Sequence, residues 1–313
     1  MFFKKNKTTN LLKAGMIGHA VGDAMGVPFE FKTRDTFNAK EMTEGGIHNQ
    51  PIGTWSDDTA LTLCLLSVMY ADYSQKNFYE AVCSWYYDGK YSADDKIPFS
   101  VGDSTARGIV KIKENLPNPD ASLETNNGNG ALMRILPLIF WTEDCDAEGT
   151  YTYLKEIVHF SHAHKRSDIA CMFYLFMGKA LVSGETIDSS YNLAKTQTID
   201  FFGESEPEFI HYERLLKGDI KLLSKDEIKN TGYVVDTIEA AIWSILNTSS
   251  YKEAVLTAVN LGGDTDTIGA ITGGLAGIYY GYQEIPKKWR KNLIREKQIS
   301  QFCDLFQEKY ETK

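Results

Sequence analysis

Positive charge is scarce in this sequence: 33 Lys and Arg stand against 42 Asp and Glu, a formal charge of -9 at pH 7. A nucleic-acid backbone as main partner calls for the opposite balance, so extended nucleic-acid binding is argued against. The basic residues that do cluster, Lys4, Lys5 and Lys7 and then Lys287 to Arg295, lie at the ends and read as solvated faces. Cysteine is sparse and odd in number. Cys64, Cys83, Cys145, Cys171 and Cys303 form no C-x-x-C pair, which argues against structural zinc and a disulfide scaffold and for a reducing compartment. Cys64, Cys83 and Cys171 fall inside apolar helical patterns, where a thiol serves as a small hydrophobe. Long apolar runs are missing too. The longest, Ile268 to Tyr282, is short of the ~18–20 residues that span a bilayer, and Met1 to Asn10 is basic without the apolar centre of a signal peptide. A cytoplasmic protein without membrane contact is expected. There is no phosphate-binding G-x-x-x-x-G-K-[ST] loop and no G-x-S-x-G, and Gly128-Asn129-Gly130 lacks the third glycine and the preceding strand of a dinucleotide fingerprint.

Strand-like alternation is absent as well. What is present is helical periodicity. Leu11 to Val27 repeats apolar residues at helical spacing and carries Gly15, Gly18, Gly22 and Gly26 as a stripe. Each such glycine costs about 0.8–1 kcal/mol relative to Ala, so the stripe implies close approach of another backbone or of a ligand. Phe31 to Thr54 reads as loop. Trp55 to about Tyr70 is apolar almost all round and should be central and buried. Asn77 to Glu80, Ser224 to Glu227 and Ser250 to Glu253 resemble capping boxes. Residues 88–104 and Pro117 to Gly130 read as loops, with a short helix from Ala106 to Lys113 between them. Ala131 to Trp141 is a helix interrupted near Pro137. Thr150 to His162, Asp168 to Gly184 and Val235 to Leu246 are further helices, while 185–233 is polar and weakly periodic. With no repeat and no linker, residues 1–313 are expected to form one all-α domain, a compact bundle of many helices.

Two acidic clusters stand out. Gly262-Gly263-Asp264-Thr265-Asp266-Thr267 has a glycine pair in front, an apolar run of small residues behind, and no Lys or Arg within about ten residues of the segment. Ser56-Asp57-Asp58-Thr59 lies some two hundred residues earlier. Each by itself could be a helix N-cap. Together they place carboxylates without a cationic protein partner at the start of two very apolar helices, and such groups repel unless a proton or cation intervenes. The donors on offer are oxygens alone: Ser56, Asp57, Asp58, Asp264, Asp266 and Thr267. That set suits Mg²⁺, Mn²⁺ or Ca²⁺, and four carboxylates make two ions plausible. Glu30, just past the glycine-rich helix and Pro28, is either a general base for a metal-bound water or a solvated loop residue. His159, His162 and His164 with Lys165 and Arg166 read as a substrate contact or as a polar helix end. Asn126 to Gly130 could present backbone N–H groups to a phosphate, or be an ordinary turn.

Taken in order, Gly22-Asp23-Ala24-Met25-Gly26 with Pro28 and Glu30, Ser56-Asp57-Asp58-Thr59, Gly128 to Arg134, Ser161-His162-Ala163-His164 and Asn260 to Gly269 resemble the ADP-ribosylglycohydrolases, the group that includes the dinitrogenase reductase-activating glycohydrolases. The resemblance runs from about Leu11 to Trp289. It implies an all-α fold around a central pair of Mg²⁺ or Mn²⁺ ions held by Ser56, Asp57, Asp58, Asp264, Asp266 and Thr267. Catalysis would fall to Glu30 with Asp57, Asp58 and Asp266, and Gly128, Asn129, Gly130 and His162 would border the ADP-ribose pocket. The implied reaction releases ADP-ribose from a conjugated protein, nucleic acid or small molecule by cleaving the bond at C1″ of the distal ribose. A catalytically silent ADP-ribose binder and a metal-dependent phosphoester hydrolase are the alternatives. One departure stands out: Ser100 occupies a position where some members carry Asp, which bears on arginine-linked substrates.

Overall fold

The glycine stripe packs against backbone. Helix α1 (Phe2–Gly26) and helix α11 (Thr265–Tyr280) run antiparallel with their main chains in contact. A Cβ added at Gly18 would sit 2.3 Å from the Gly273 carbonyl oxygen, one at Gly22 2.0 Å from that of Gly269, and one at Gly277 2.2 Å from that of Ala14. Both helices therefore need small residues along the seam, and the seam sets the end of α1 beside the start of α11. Gly22→Ala is expected to lower stability by about 1–3 kcal/mol or more through overpacking. Thermal unfolding monitored by circular dichroism should show the midpoint falling by several degrees.

The computed structural model describes residues 2–96 and 98–311, with side chains for 11–96 and 98–309. The side chains of Lys4, Lys5 and Lys7, read above as a solvated face, lie outside that description. Every regular element among the described residues is helical. Two isolated bridges, Gly45 with Gln50 and Gly128 with Tyr233, are the β pairings found there. Around the α1–α11 pair stand α2 (Asp57–Ala71), α3 (Gln75–Asp88), α4 (Asp103–Lys113), α5 (Leu136–Trp141), α6 (Ala147–Val158) and α7 (Lys165–Ser183). The remainder are α8 (Ile187–Phe202), α9 (Val234–Leu246), α10 (Tyr251–Val259), α12 (Lys287–Asn292) and α13 (Glu296–Glu311). Helices α9 and α10 pack on α11, and α13 lies across α1 and α2. No helix among the described residues is long and apolar enough to cross a membrane.

Helix α2 is buried from Asp57 to Met69, as its all-round apolar pattern predicts. Pro137 sits in the first turn of α5 and separates it from the 3-10 turn Leu132–Arg134, which is the predicted interruption. The box at Ser224 forms, with Glu227 accepting from the Ser224 backbone N–H, but it opens a single 3-10 turn. At α10, Ser250 caps Glu253 as expected, while the Glu253 carboxylate returns to Ser249 rather than to Ser250. The box read at Asn77 is displaced. Ser74 is the cap of α3, because its hydroxyl accepts from the Asn77 backbone N–H at 3.1 Å. Helix α8 occupies part of the stretch read as weakly periodic. Its buried positions include Ser190 and Thr198 beside Tyr191 and Ala194, which blurs the apolar pattern. At the C-terminal end Lys287, Lys288 and Lys291 are exposed while Trp289 is buried, its indole donating to Glu41.

Candidate active site

Two helix N-termini converge on one group of carboxylates. Helix α11 gets there through Gly262 and Gly263, both in the left-handed region with φ of 76° and 69°. Side chains rarely tolerate that conformation, and a Cβ at Gly263 would lie 2.1 Å from the Asn230 carbonyl oxygen. The turn is fixed by Gly263 N–H donating to Lys32 O at 2.9 Å, Phe31 N–H to Gly263 O at 2.7 Å and Asp264 N–H to Asn230 O at 2.9 Å. Arg34 spreads its guanidinium over the carbonyls of Leu261, Lys225 and Ile228, holding the same three segments together.

Helix α2 is positioned by a residue that the site assignment from sequence left out. Asp23 of α1 accepts from the Ser56 N–H at 2.9 Å, the Thr59 N–H at 3.0 Å and the Thr59 hydroxyl at 2.6 Å. It thus caps α2 across the core, while the Ser56 hydroxyl makes the weaker local cap at 3.4 Å to Asp58 N–H. Nothing local in the sequence marks a cap 33 residues distant.

The carboxylates form two groups that share a member. Oxygens of Asp23, Asp58 and Asp266 lie within 4.8 Å of one another, as do oxygens of Glu30, Asp264 and Asp266. Asp57 lies outside both groups but lines the adjoining cleft with Glu30, Asp264 and Thr267. The hydroxyls of Ser56 and Thr267 donate to Asp58 Oδ2 at 3.1 and 3.3 Å, and Asp58 Oδ1 is buried with no partner. Burial first, and then the neighbouring carboxylates, push Asp57, Asp58 and Asp266 well above the usual carboxylate range. Asp23 rises to about 7 through burial, against the hydrogen bonds from Thr59 and Ser56. The helix N-termini favour negative charge here by about 0.3–2 kcal/mol each, whereas burying each ion costs several kcal/mol. The dipoles do not balance that cost. An oxygen-only donor set with an orphaned buried oxygen, and among the described residues no Lys or Arg in ion-pair contact with Asp58 or Asp266, fits hard divalent cations.

Beside this group opens a cleft of about 510 Å³, within the ordinary range for a small-molecule site. Glu30 lines it and is nearly buried. Its Oε1 accepts from the Ser100 hydroxyl at 2.7 Å, and its Oε2 lies 2.6 Å from His48 Nε2. Burial raises its pKa, opposed by those two contacts. His48 also packs against Phe99 with the rings tilted by 40° and their centroids 4.9 Å apart. It sits in a loop whose sequence carries no sign of the pairing. Phe31 stands at the cleft 65% exposed with φ of 62°, a strained conformation for an aromatic residue.

Gly128, Asn129, Gly130 and His162 line the same cleft. The Asn129 amide donates to Asp264 Oδ2 at 2.7 Å and to Thr237 Oγ1 at 3.0 Å, so it orients one of the candidate ligands. Asn126 is turned inward, its amide donating to the Ser161 carbonyl at 2.7 Å. Of the three clustered histidines only His162 reaches the cleft. His159 pairs with Asp168 at 2.9 Å, and His164 caps α7 by accepting from Arg166 N–H at 3.2 Å. The polar-helix-end reading therefore holds for those two. The Ser100–Thr105 segment, Met133 and Gly232 complete the lining.

Known proteins share this arrangement of sequence and fold. A family model described as ADP-ribosylglycohydrolase matches residues 5–313. An ADP-ribosylarginine hydrolase, Tri1, of Serratia proteamaculans is 28% identical over 96% of this chain and 80% of its own length. The ADP-ribosyl-dinitrogen reductase glycohydrolase of Rhodospirillum rubrum is 29% identical over 88% of each chain. A solved structure titled ADP-ribosylglycohydrolase-related protein complex superposes with a TM-score of 0.82 at 26% identity, over 97% of this chain and 99% of its own. With the family match covering nearly the whole sequence, the chain belongs to the ADP-ribosylglycohydrolase family.

Proposed function

We propose that this chain is a metal-dependent hydrolase that releases ADP-ribose from an ADP-ribosylated protein, nucleic acid or small molecule by cleaving the bond at C1″ of the distal ribose. The observation that carries the reading is the pair of carboxylate groups sharing Asp266 beside a cleft of about 510 Å³. Asp23, Asp58, Asp264 and Asp266 would hold two Mg²⁺ or Mn²⁺ ions, with Ser56, Asp57 and Thr267 next to them. A divalent cation bound there supplies Lewis-acid polarisation and a water that deprotonates near neutral pH.

The remaining chemistry belongs to the chain's own residues. Glycosidic cleavage develops positive charge at the sugar carbon, and carboxylates already fixed around the site meet that charge without reorganising. Glu30, buried and oriented through both oxygens, takes the proton of the attacking water. Asn129 holds Asp264 in place, and the backbone of Gly128 and Gly130 with His162 lines the space for the diphosphate. Relatives named for ADP-ribosylarginine and for dinitrogen reductase support a protein-borne substrate. Ser100, bonded to Glu30, leaves this wall one carboxylate poorer than in members with Asp there. Free thiols at all five cysteines and the absence of a spanning helix among the described residues support a cytoplasmic setting.

The test is a panel of ADP-ribosylated arginine, serine, nucleic-acid and small-molecule substrates, with and without chelator, scored by mass spectrometry. Free ADP-ribose with an intact diphosphate, lost on chelation, is the expected product. AMP or inorganic phosphate would mean a phosphoester hydrolase, and no product from any substrate a silent binder. Glu30→Gln is expected to lower kcat by about 10²–10⁴-fold while Mn²⁺ binding, measured by calorimetry, persists.

A further inference from the structure

A buried cation with no carboxylate in contact lies directly behind the cleft, Asp57 acting on it only from a distance. Arg134 is fully buried. Its Nη1 donates to Gly130 O at 2.9 Å, and its Nη2 donates to Ser161 Oγ at 2.7 Å and, at longer range, to the carbonyls of Ile157 and Val158. Its Nε has no partner, and the guanidinium lies over the Phe160 ring at 4.5 Å. Carbonyl acceptors alone would suit a neutral donor. An unpaired guanidinium is a costly way to staple a loop.

The Ser161 hydroxyl carries the arrangement forward. Its oxygen accepts from Arg134, leaving one proton to donate. The His162 Nδ1 is 2.9 Å away, and the competing Val158 carbonyl is 3.4 Å away. Assigning the proton to the shorter contact makes Nδ1 the acceptor and puts the ring proton on Nε2. That edge faces the cleft at Gly128 and Gly130. A Cβ at Gly128 would stand 3.6 Å from Nε2, and one at Gly130 2.8 Å from Cε1, so the two glycines leave the imidazole edge uncovered.

From these contacts we infer that Arg134 is a positioning residue that acts through Ser161 to present His162 as a fixed Nε2–H donor to an anionic oxygen of the substrate's diphosphate. The inference rests on the ADP-ribose reading for the identity of the ligand, but not for the tautomer. Burial and the nearby charges of Arg134 and Arg107 lower the His162 pKa to about 3, so the ring stays neutral. Arg134, lowered by burial to about 10, stays charged.

The experiment is nitrogen-15 NMR of the full-length protein labelled at histidine, without ligand, with the His162 signals identified by their loss in His162→Gln. The wild type should show His162 in one tautomer, Nε2 protonated and Nδ1 bare, with no titration between pH 5 and 8 (on the order of three decades across the ordinary histidine range). Ser161→Ala should show both tautomers. Its affinity for ADP-ribose should fall about tenfold, with KM raised and kcat nearly kept, while His162→Gln, which carries an N–H at the same reach, should bind within about threefold of wild type. Arg134→Lys, checked for folding by circular dichroism, should behave as Ser161→Ala does; if it does not fold, Ser161→Ala decides alone. A proton found on Nδ1, or Ser161→Ala binding as tightly as wild type, overturns the inference. Were the wild type to bind no ADP-ribose at all, the functional reading would fall, and the ligand-free tautomer would still decide the positioning claim.

Discussion

Asp266→Asn is expected to abolish turnover and, at the same time, to stabilise the metal-free fold. Asp266 is the one residue common to both carboxylate groups. Changes to residues that merely orient a metal ligand cost about 10–100-fold, so loss of a shared ligand should cost more, on the order of a thousandfold in kcat/KM. The stability effect has the opposite sign. Asp266 is 1% exposed, and burial, Glu30, Asp264 and Asp58 all act against its charge. Asn has nearly the same shape and no charge, so the empty site is relieved of one repelling group. The gain should be about 1 kcal/mol or more, or a few °C. Scanning fluorimetry in chelator and in Mn²⁺, beside a product assay, reads both effects. A variant with wild-type turnover, or with an undiminished Mn²⁺ shift, would dismiss the shared-ligand assignment. A destabilised metal-free variant would show that Asp266 is held by contacts other than those described.

How much of this could be read in the sequence depended on the range of the interaction involved. The α1 glycine stripe was visible because spacing is local, and its departure from helix propensity demanded an explanation. That the facing surface is the glycine face of α11 rather than a ligand was not, since Gly22 and Gly269 meet only after the chain has returned 247 positions later. The pairing of Ser56–Thr59 with Asp264–Thr267 was legible for another reason: acids lacking nearby bases on two apolar helices have few ways to be neutralised. Asp23 escaped assignment because its three donors come from the N-cap and first turn of α2, and a buried Asp in a small-residue helix has no pattern of its own. His48 was missed for the same cause, its partner Glu30 lying across a loop. The histidine triplet shows the converse. Three neighbours in sequence divide in space, since Asp168 engages His159 and the start of α7 takes His164. Helix α13 went unread because polar residues fill its outer face around buried Ile299, Cys303 and Phe306.

The response to pH should invert when the cations are removed. Asp57, Asp58 and Asp266 are pushed well above the unfolded carboxylate value, and Asp23 to about 7. Between the unfolded and folded values the folded chain binds more protons than the unfolded one, so stability falls as pH rises through that interval. The buried histidines work the other way. His19, lowered to about 4 chiefly by burial, and His162, lowered to about 3, are neutral in the fold where the unfolded chain would be protonated. Their effect raises stability with pH but is complete by about pH 6.5, the unfolded histidine value. From pH 6.5 to 8, then, the carboxylates remain, and the chelated protein should lose stability steadily. Divalent cations reverse this slope, because protons compete for the same oxygens and binding tightens as they leave. At about a hundredfold excess over Kd the bound form gains roughly 2.7 kcal/mol, or about 4 °C. Melting curves in chelator and in Mn²⁺ at half-unit pH steps should therefore diverge from pH 6.5 upward, falling in the first series and rising in the second. Parallel series would mean that the buried acids are neutralised within the protein itself, and the two-cation reading would then have lost its physical motive.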